Sequence, residues 1–344
     1  MVSKSKPNLN YHEGEWRRPI NDLQHQEVGG GHKSIHDDET AKAAGFADGP
    51  PVHGTVHFSQ LTPLLLRVYG KDWFERGTIS VVFRNVVSHL KPVKAFIEKP
   101  KVGASQVRVW MEHMDGRLVF DGTASLQPKN DNPSDNIKEK EELTMVEKQL
   151  KRLKPIKGNS VFVTHPVGTR SLNIEKACIE WGKEIGSLFP YTTEQKLNVI
   201  TEWHPWFSKE YYNASVSPSP WGKPILSPEA LNQIMLYTMK SAEWPTPSYE
   251  LLPKNKTPVS LFGGCEIKLI NGPVFVGETY FIEREITAVG ETPKTEFIWT
   301  KTVMKDEKGC IIAEMTLQDM MLKYTVENYD ELRSIANGFS TSKL

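Results

Sequence analysis

Two blocks of the chain alternate apolar and polar residues with a period of two, and a segment of helical spacing precedes each. In the first block, residues 78–87, 93–98, 106–113 and 117–126 read as strands, with Asp115-Gly116 as the hairpin turn between the last two. In the second block, residues 262–269, 278–286, 294–305 and 309–317 read as strands, and a turn from Asp306 to Gly309 stands at the equivalent place. The last strands echo one another, R-L-V-F-D-G-T-A-S-L against C-I-I-A-E-M-T-L. Ahead of the first block, Val56, Leu61, Leu64 and Leu65 share one helix face. Ahead of the second, Ser227 is an N-cap, Pro228 suits the first helical position, and Leu231, Ile234, Met235 and Thr238 form the buried face. A helix followed by antiparallel strands, repeated once, predicts an α+β chain of two similar units and excludes βαβ architecture.

The flanking pattern sets the boundaries. Residues 1–26 are polar, with Trp16, Arg17, Arg18 and Pro19, and read as an extended arm packed at a sheet edge. From residue 128 to 159 the alternation dissolves into loop material around 129–135 and a charged stretch, 139–154, that suits a solvated helix. The expected units are 1–127, a charged linker at 128–159, and 160–344.

Chemistry concentrates at 28–66. A short helix over 37–44 starts with acids, which its dipole favours, and Gly45 ends it. Pro50-Pro51 then leads through Val52, His53 and Gly54 into the long apolar helix. Gly54 allows close approach to the backbone, and N–H groups at a helix start suit an oxyanion or phosphate. His36 lies just upstream as a candidate acid–base group, since an imidazole titrates near about 6.5.

Ile35-His36-Asp37-Asp38, the run from Ala41 to Phe46, and Val52-His53-Gly54 together resemble the MaoC-like hot-dog hydratases and dehydratases, the (R)-specific enoyl-CoA hydratase group. Their signature is I-H-x-D, then A-x-x-A-G-F, then a Pro/Val-H-G elbow. The resemblance implies a tandem, or double, hot-dog in which each half wraps an antiparallel sheet round a central helix. It implies a hydro-lyase acting on an enoyl or 3-hydroxyacyl thioester, a coenzyme A ester by preference, in fatty acid metabolism and without a cofactor. His36, with Asp38 and Asp37, would form the catalytic set, and His53, Gly54, Gly31 and Arg84 the substrate-binding set. Gly31 stands where the family's catalytic aspartate belongs, and Lys33 and Ser34 replace its Asn and Pro. Glu27 joins Asp37 and Asp38 as a candidate for the missing carboxylate; alternatively Asp37 and Asp38 serve only as helix-start acids. The second unit lacks I-H-x-D, and Tyr211-Tyr212-Asn213-Ala214-Ser215 before its helix offers only neutral polar groups.

Composition narrows the partners. Among 344 residues, 42 basic and 42 acidic side chains balance, which gives no case for nucleic acid or an anionic membrane. No apolar run is long enough to span a bilayer. Cys178, Cys265 and Cys310 suit a reducing compartment and form no CxxC motif. Ser342-Lys343-Leu344 is a peroxisomal address if the source is eukaryotic, with a cytoplasmic location otherwise. A homodimer of double hot-dogs is a further expectation.

Other signals weigh less. Gly29-Gly30-Gly31-His32-Lys33-Ser34 fails the phosphate-loop spacing. The pairs His32/His36 and His53/His57 have ligand spacing without H-E-x-x-H, so no metal is expected. Trp203, Trp206, Phe207, Tyr211 and Tyr212 suit a core or a substrate tunnel. The alternatives to hydro-lyase chemistry are a non-catalytic acyl-thioester binder or partner subunit, and a lyase or cyclase using the pocket on a non-CoA substrate. A thioesterase ranks last, because the first central helix carries no carboxylate before Asp72.

Overall fold

The computed structural model describes residues 10–23, 27–28, 32–128, 142–186, 189–211, 218–237, 242–247, 249–252 and 258–339. The Ser342-Lys343-Leu344 tail, Thr238 and residues 212–215 therefore lie outside the described residues. The first half comprises β1 (Tyr11–Glu13), β2 (Glu27–Val28), β3 (His32–Lys33), β4 (Gly77–Phe83), β5 (Val93–Glu98), β6 (Gln106–His113) and β7 (Leu118–Leu126). Its helices are α1 (Asp38–Ala43), α2 (Val56–Ser59), α3 (Thr62–Tyr69) and α4 (Trp73–Arg76). After α5 (Met145–Lys151), the second half comprises β8 (Glu175–Cys178), β9 (Glu184–Gly186), β10 (Phe189–Thr192), β11 (Ser260–Leu269), β12 (Thr279–Glu291), β13 (Thr295–Lys305) and β14 (Ile311–Leu322). Its helices are α6 (Thr193–Leu197), α7 (Pro228–Tyr237) and α8 (Tyr329–Gly338).

Ten strands form one antiparallel sheet in the order β1-β5-β6-β7-β4-β11-β14-β13-β12-β8. Read outward from the β4–β11 junction, the two sides have the same connectivity, as a tandem hot-dog requires. The junction is a true ladder, with Ile79 opposite Ile267 and Val82 opposite Gly264. Gly122 on β7 lies so close to β4 that an added Cβ would sit 2.3 Å from Ser80 O, so no larger residue fits that crossing.

The concave face of the sheet wraps both central helices. Phe58, Leu61 and Leu65 from the first helical segment, and Leu231, Ile234 and Met235 from α7, are fully or almost fully buried in one continuous core. Thr55, Gln60 and Leu61 all have right-handed helical dihedrals, so α2 and α3 continue one another as a single central helix with a local tightening. The opposite face is covered by α5, which a Thr144–Glu147 capping box starts. Its Val146 packs against Phe297 and Trp299. The charged stretch before residue 154 thus buries one apolar stripe instead of standing free in solvent.

The strand at 78–87 ends at Phe83. Beyond it, Val87 O accepts from Val52 N at 2.6 Å and Ser88 bridges to Pro51, so this segment leaves the sheet to brace the elbow. In the second half, the buried Arg284 guanidinium ties the sheet to α7. It donates to Glu175 Oε2 at 2.6 Å, to Met235 O at 2.5 Å and to Thr302 Oγ1 at 3.0 Å. Removing one partner of such a pair leaves an uncompensated buried charge. Glu175→Ala is expected to lower unfolding free energy by about 3–5 kcal/mol in urea titrations.

Candidate active site at the seam between the halves

The arm builds one wall. Asn21 Nδ2 donates to His36 O at 2.8 Å, and Asn21 N donates to His89 Nδ1 at 3.0 Å. His36 lies in the turn before α1, and its Nδ1 is 2.6 Å from Pro51 O. A carbonyl oxygen only accepts, so Nδ1 carries the proton and Nε2 is left with its lone pair. Burial lowers the His36 pKa; the Pro51 hydrogen bond and the Asp22 charge oppose this, and Lys196 adds to it. The imidazole is therefore neutral at pH 7, with Nε2 competent as a base.

The elbow supplies a second ring, buried where that of His36 is half-buried. His53 is 5.8 Å from His36 between ring centroids, and its Nδ1 is 2.6 Å from Thr55 Oγ1. Burial, then the nearby Lys196 ammonium, hold His53 well below its ordinary range. Phe262, from the other half of the chain, packs edge-on to His53 at 5.5 Å. A Cβ placed on Gly54 would lie 3.4 Å from Phe83 and 3.6 Å from Phe262, both ordinary contacts. Glycine at 54 is thus not demanded by packing, and the space a side chain would take there is bordered by the Phe83 and Phe262 rings.

Beside these rings lies a buried charge cluster. Lys196 Nζ, on α6, is 2.6 Å from Asp22 Oδ2 of the arm and 2.9 Å from Glu229 Oε1 on the first turn of α7. The Lys196 and Glu229 side chains are 2% and 0% exposed. Burial raises the Glu229 carboxyl to about 7 against the pull of Lys196. Burial works against the Lys196 ammonium too, but the Glu229 and Asp22 charges outweigh it and raise its pKa.

The remaining expected residues fall elsewhere. Asp37 is the N-cap of α1, its Oδ1 accepting from Glu39 N and Thr40 N at 3.1 Å each, so its carboxylate is engaged in capping. Asp38 is exposed in the first turn of α1, and Arg84 is exposed at the bend where the chain leaves β4. Gly31 lies outside the described residues, as do the side chains of Glu27, His32 and Lys33. Among the aromatics, Phe207 is buried and Trp206 packs 5.7 Å from Phe74 and 5.3 Å from Trp221, a core cluster across the halves, whereas Trp203 is exposed. Tyr212 and the Tyr211 side chain lie outside the described residues. Among the described residues no three His, Cys, Asp or Glu side chains group to hold a metal ion, and no helix is long and apolar enough to cross a membrane.

Asp22, Lys196 and Glu229 escape the motif reading. The one available signal was Glu229 itself, an acid one residue past the Ser227-Pro228 cap of the second central helix, the position the His53-Gly54 elbow holds in the first.

Neither a family model nor a curated protein matches the sequence. Solved structures do match its fold. A Mycobacterium tuberculosis protein with a double hot-dog fold, essential for bacterial survival during infection, aligns with TM-score 0.50 and 11% identity over 90% of this chain and 96% of its own. A protein described as a MaoC-domain dehydratase, from Chloroflexus aurantiacus, aligns with TM-score 0.53 and 10% identity over 91% of this chain and 94% of its own. The chain thus has a double hot-dog fold over nearly its whole length.

His57, in the same helix as the elbow, gives a pH test of the site's dryness. Burial, with His113 nearby, pushes it down to about 3 from the ordinary 6.5. Between those values the unfolded chain binds the proton and the folded chain does not, so stability falls as pH drops through this window. Urea unfolding at pH 7 and pH 5 is expected to differ by about 2 kcal/mol less in His57→Gln than in the parent protein.

Proposed function

We propose that the chain is a hydro-lyase that adds water to an enoyl thioester or removes it from a 3-hydroxyacyl thioester, a coenzyme A ester by preference. The observation that carries this reading is the His36 Nδ1–Pro51 O hydrogen bond, which leaves Nε2 unprotonated on a ring 5.8 Å from the His53 ring of the elbow. The double hot-dog fold shared with a protein described as a dehydratase supports it.

In hydration, the thioester carbonyl lies against the Gly54 backbone, which stabilises negative charge developing on its oxygen. His36 Nε2 takes a proton from water as the water oxygen bonds the β-carbon. The double-bond electron pair moves onto the α-carbon and carbonyl. The imidazolium, paired through space with Asp22, then returns its proton to the α-carbon. Dehydration is the reverse sequence. His53, neutral and held against Thr55 and Phe262, forms part of the wall.

Glu229 favours a second reading. A carboxylate on a central helix is what thioester hydrolysis needs, and the first central helix lacks one at the site. The products separate the two.

Purified protein incubated with crotonyl- and longer trans-2-enoyl-CoA is expected to yield 3-hydroxyacyl-CoA, identified by chromatography. His36→Ala is expected to lower the rate about 10²–10⁴-fold. Free acid and coenzyme A as products support hydrolysis, and no turnover overturns both readings. Gly54→Ala is expected to leave the melting temperature nearly unchanged, because the methyl would make ordinary contacts with Phe83 and Phe262, and to weaken turnover by crowding a carbonyl held at the Gly54 backbone.

A further inference from the structure

We propose that the Asp22–Lys196–Glu229 cluster completes the site: Asp22 orients the reacting water against His36, and Lys196 and Glu229 are positioning residues that hold Asp22 in place. The inference rests on the hydro-lyase reading and names the group that takes over the function of the carboxylate absent at Gly31.

Three observations carry it. First, the cluster is expensive as a structural device. Burying an ion costs several kcal/mol, and an ion pair offsets this only when the remaining hydrogen-bonding capacity is satisfied. Here it is not: Asp22 Oδ1 and Glu229 Oε2 are both buried with no hydrogen-bond partner. Each carboxylate spends one oxygen on Lys196 and leaves the other unused, Glu229 Oε1 also receiving Gln233 Nε2 at 3.4 Å. An unused buried carboxylate oxygen is the acceptor that a water or a substrate hydroxyl needs.

Second, the cluster adjoins His36. Asn21, the residue before Asp22, donates its side-chain amide to the His36 carbonyl. Among the described residues, the charged groups acting on the His36 ring are Asp22 and Lys196, with the neutral His53 ring beside it. Asp22 is the one that favours its protonated form.

Third, the cluster unites the arm, α6 and α7, so it exists only when both halves are assembled. Lys196 bridges two carboxylates at once, which fixes the direction of the Asp22 side chain more firmly than a single pair would.

The chemistry follows. One O–H of the water donates to Asp22 Oδ1 and the other faces His36 Nε2, which aims an oxygen lone pair at the β-carbon. As in the step above, His36 receives the proton and returns it to the α-carbon; the Asp22 charge favours the transient imidazolium. No co-reactant is needed.

The test uses the full-length chain with Asp22→Asn, Asp22→Glu and Glu229→Gln, and two readouts: kcat and KM with crotonyl-CoA, and the His36 imidazole titration by NMR. Asp22→Asn is expected to lower kcat about 10²-fold with KM changed less than about threefold. It is also expected to move the His36 titration to lower pH, because the carboxylate that favours the imidazolium is gone. Asp22→Glu should restore part of kcat. Glu229→Gln should cost about tenfold in kcat, because Asp22 loses its counterweight on Lys196. Unchanged kcat in Asp22→Asn, where His36→Ala is inactive, overturns the assignment and leaves the hydro-lyase reading standing. If the parent protein turns over no thioester, the hydro-lyase reading fails, and the role given to Asp22 fails with it, whatever the His36 titration shows. Where Asp22→Asn does not fold, Asp22→Glu carries both readouts: kcat and a His36 titration both equal to the parent's overturn the proposal.

Discussion

The β4–β11 ladder is the constraint on which the molecule depends. Five backbone pairings, from Thr78–Lys268 to Val82–Gly264, fuse two half-sheets into one. A single sheet curving over two helices brings those helices into contact, α2 against α7. The elbow of one half then meets Phe262 of the other, and Lys196 reaches Glu229 on the first turn of α7. A hot-dog half alone would leave one side of that seam to solvent; covalent tandem repetition supplies the second side at a fixed register.

The seam differs from the rest of the core in one respect. Elsewhere the buried Arg284 guanidinium meets three kinds of acceptor, and the unpartnered buried atoms include single donors such as Trp73 Nε1 and Trp299 Nε1. At the seam, neutral imidazoles, an ammonium and two acidic groups lie together, and Asp22 Oδ1 and Glu229 Oε2 are buried without a hydrogen-bond partner. The low local dielectric that makes such groups costly also makes their charges act strongly on a bound reactant.

Much of this was legible in the residues. Asp37 and Gly45 bound α1, and Ser227 and Pro228 start α7, because caps are local and depend on few neighbours. The strands at 93–98 and 106–113 have the limits their alternation implies. Where alternation misled, the sheet shows why. β12 runs on to Glu291 because a bulge after Ile286 shifts the phase of its side chains. β14 runs on to Leu322 because the adjacent polar residues Gln318 and Asp319 break the period without breaking the ladder. The spacing of His36 and Gly54 pointed to the elbow. It could not point to the ion cluster, since Asp22 and Lys196 are 174 positions apart and each alone reads as a solvated charge.

The outer margins of the sheet are closed by β1 and β8, of three and four residues. A long open margin would template pairing with another chain, whereas such short strands present few free backbone groups. Ten strands can therefore lie side by side without inviting an eleventh from a neighbouring molecule. Among the described residues, both margins of the sheet thus disfavour its extension into a polymer.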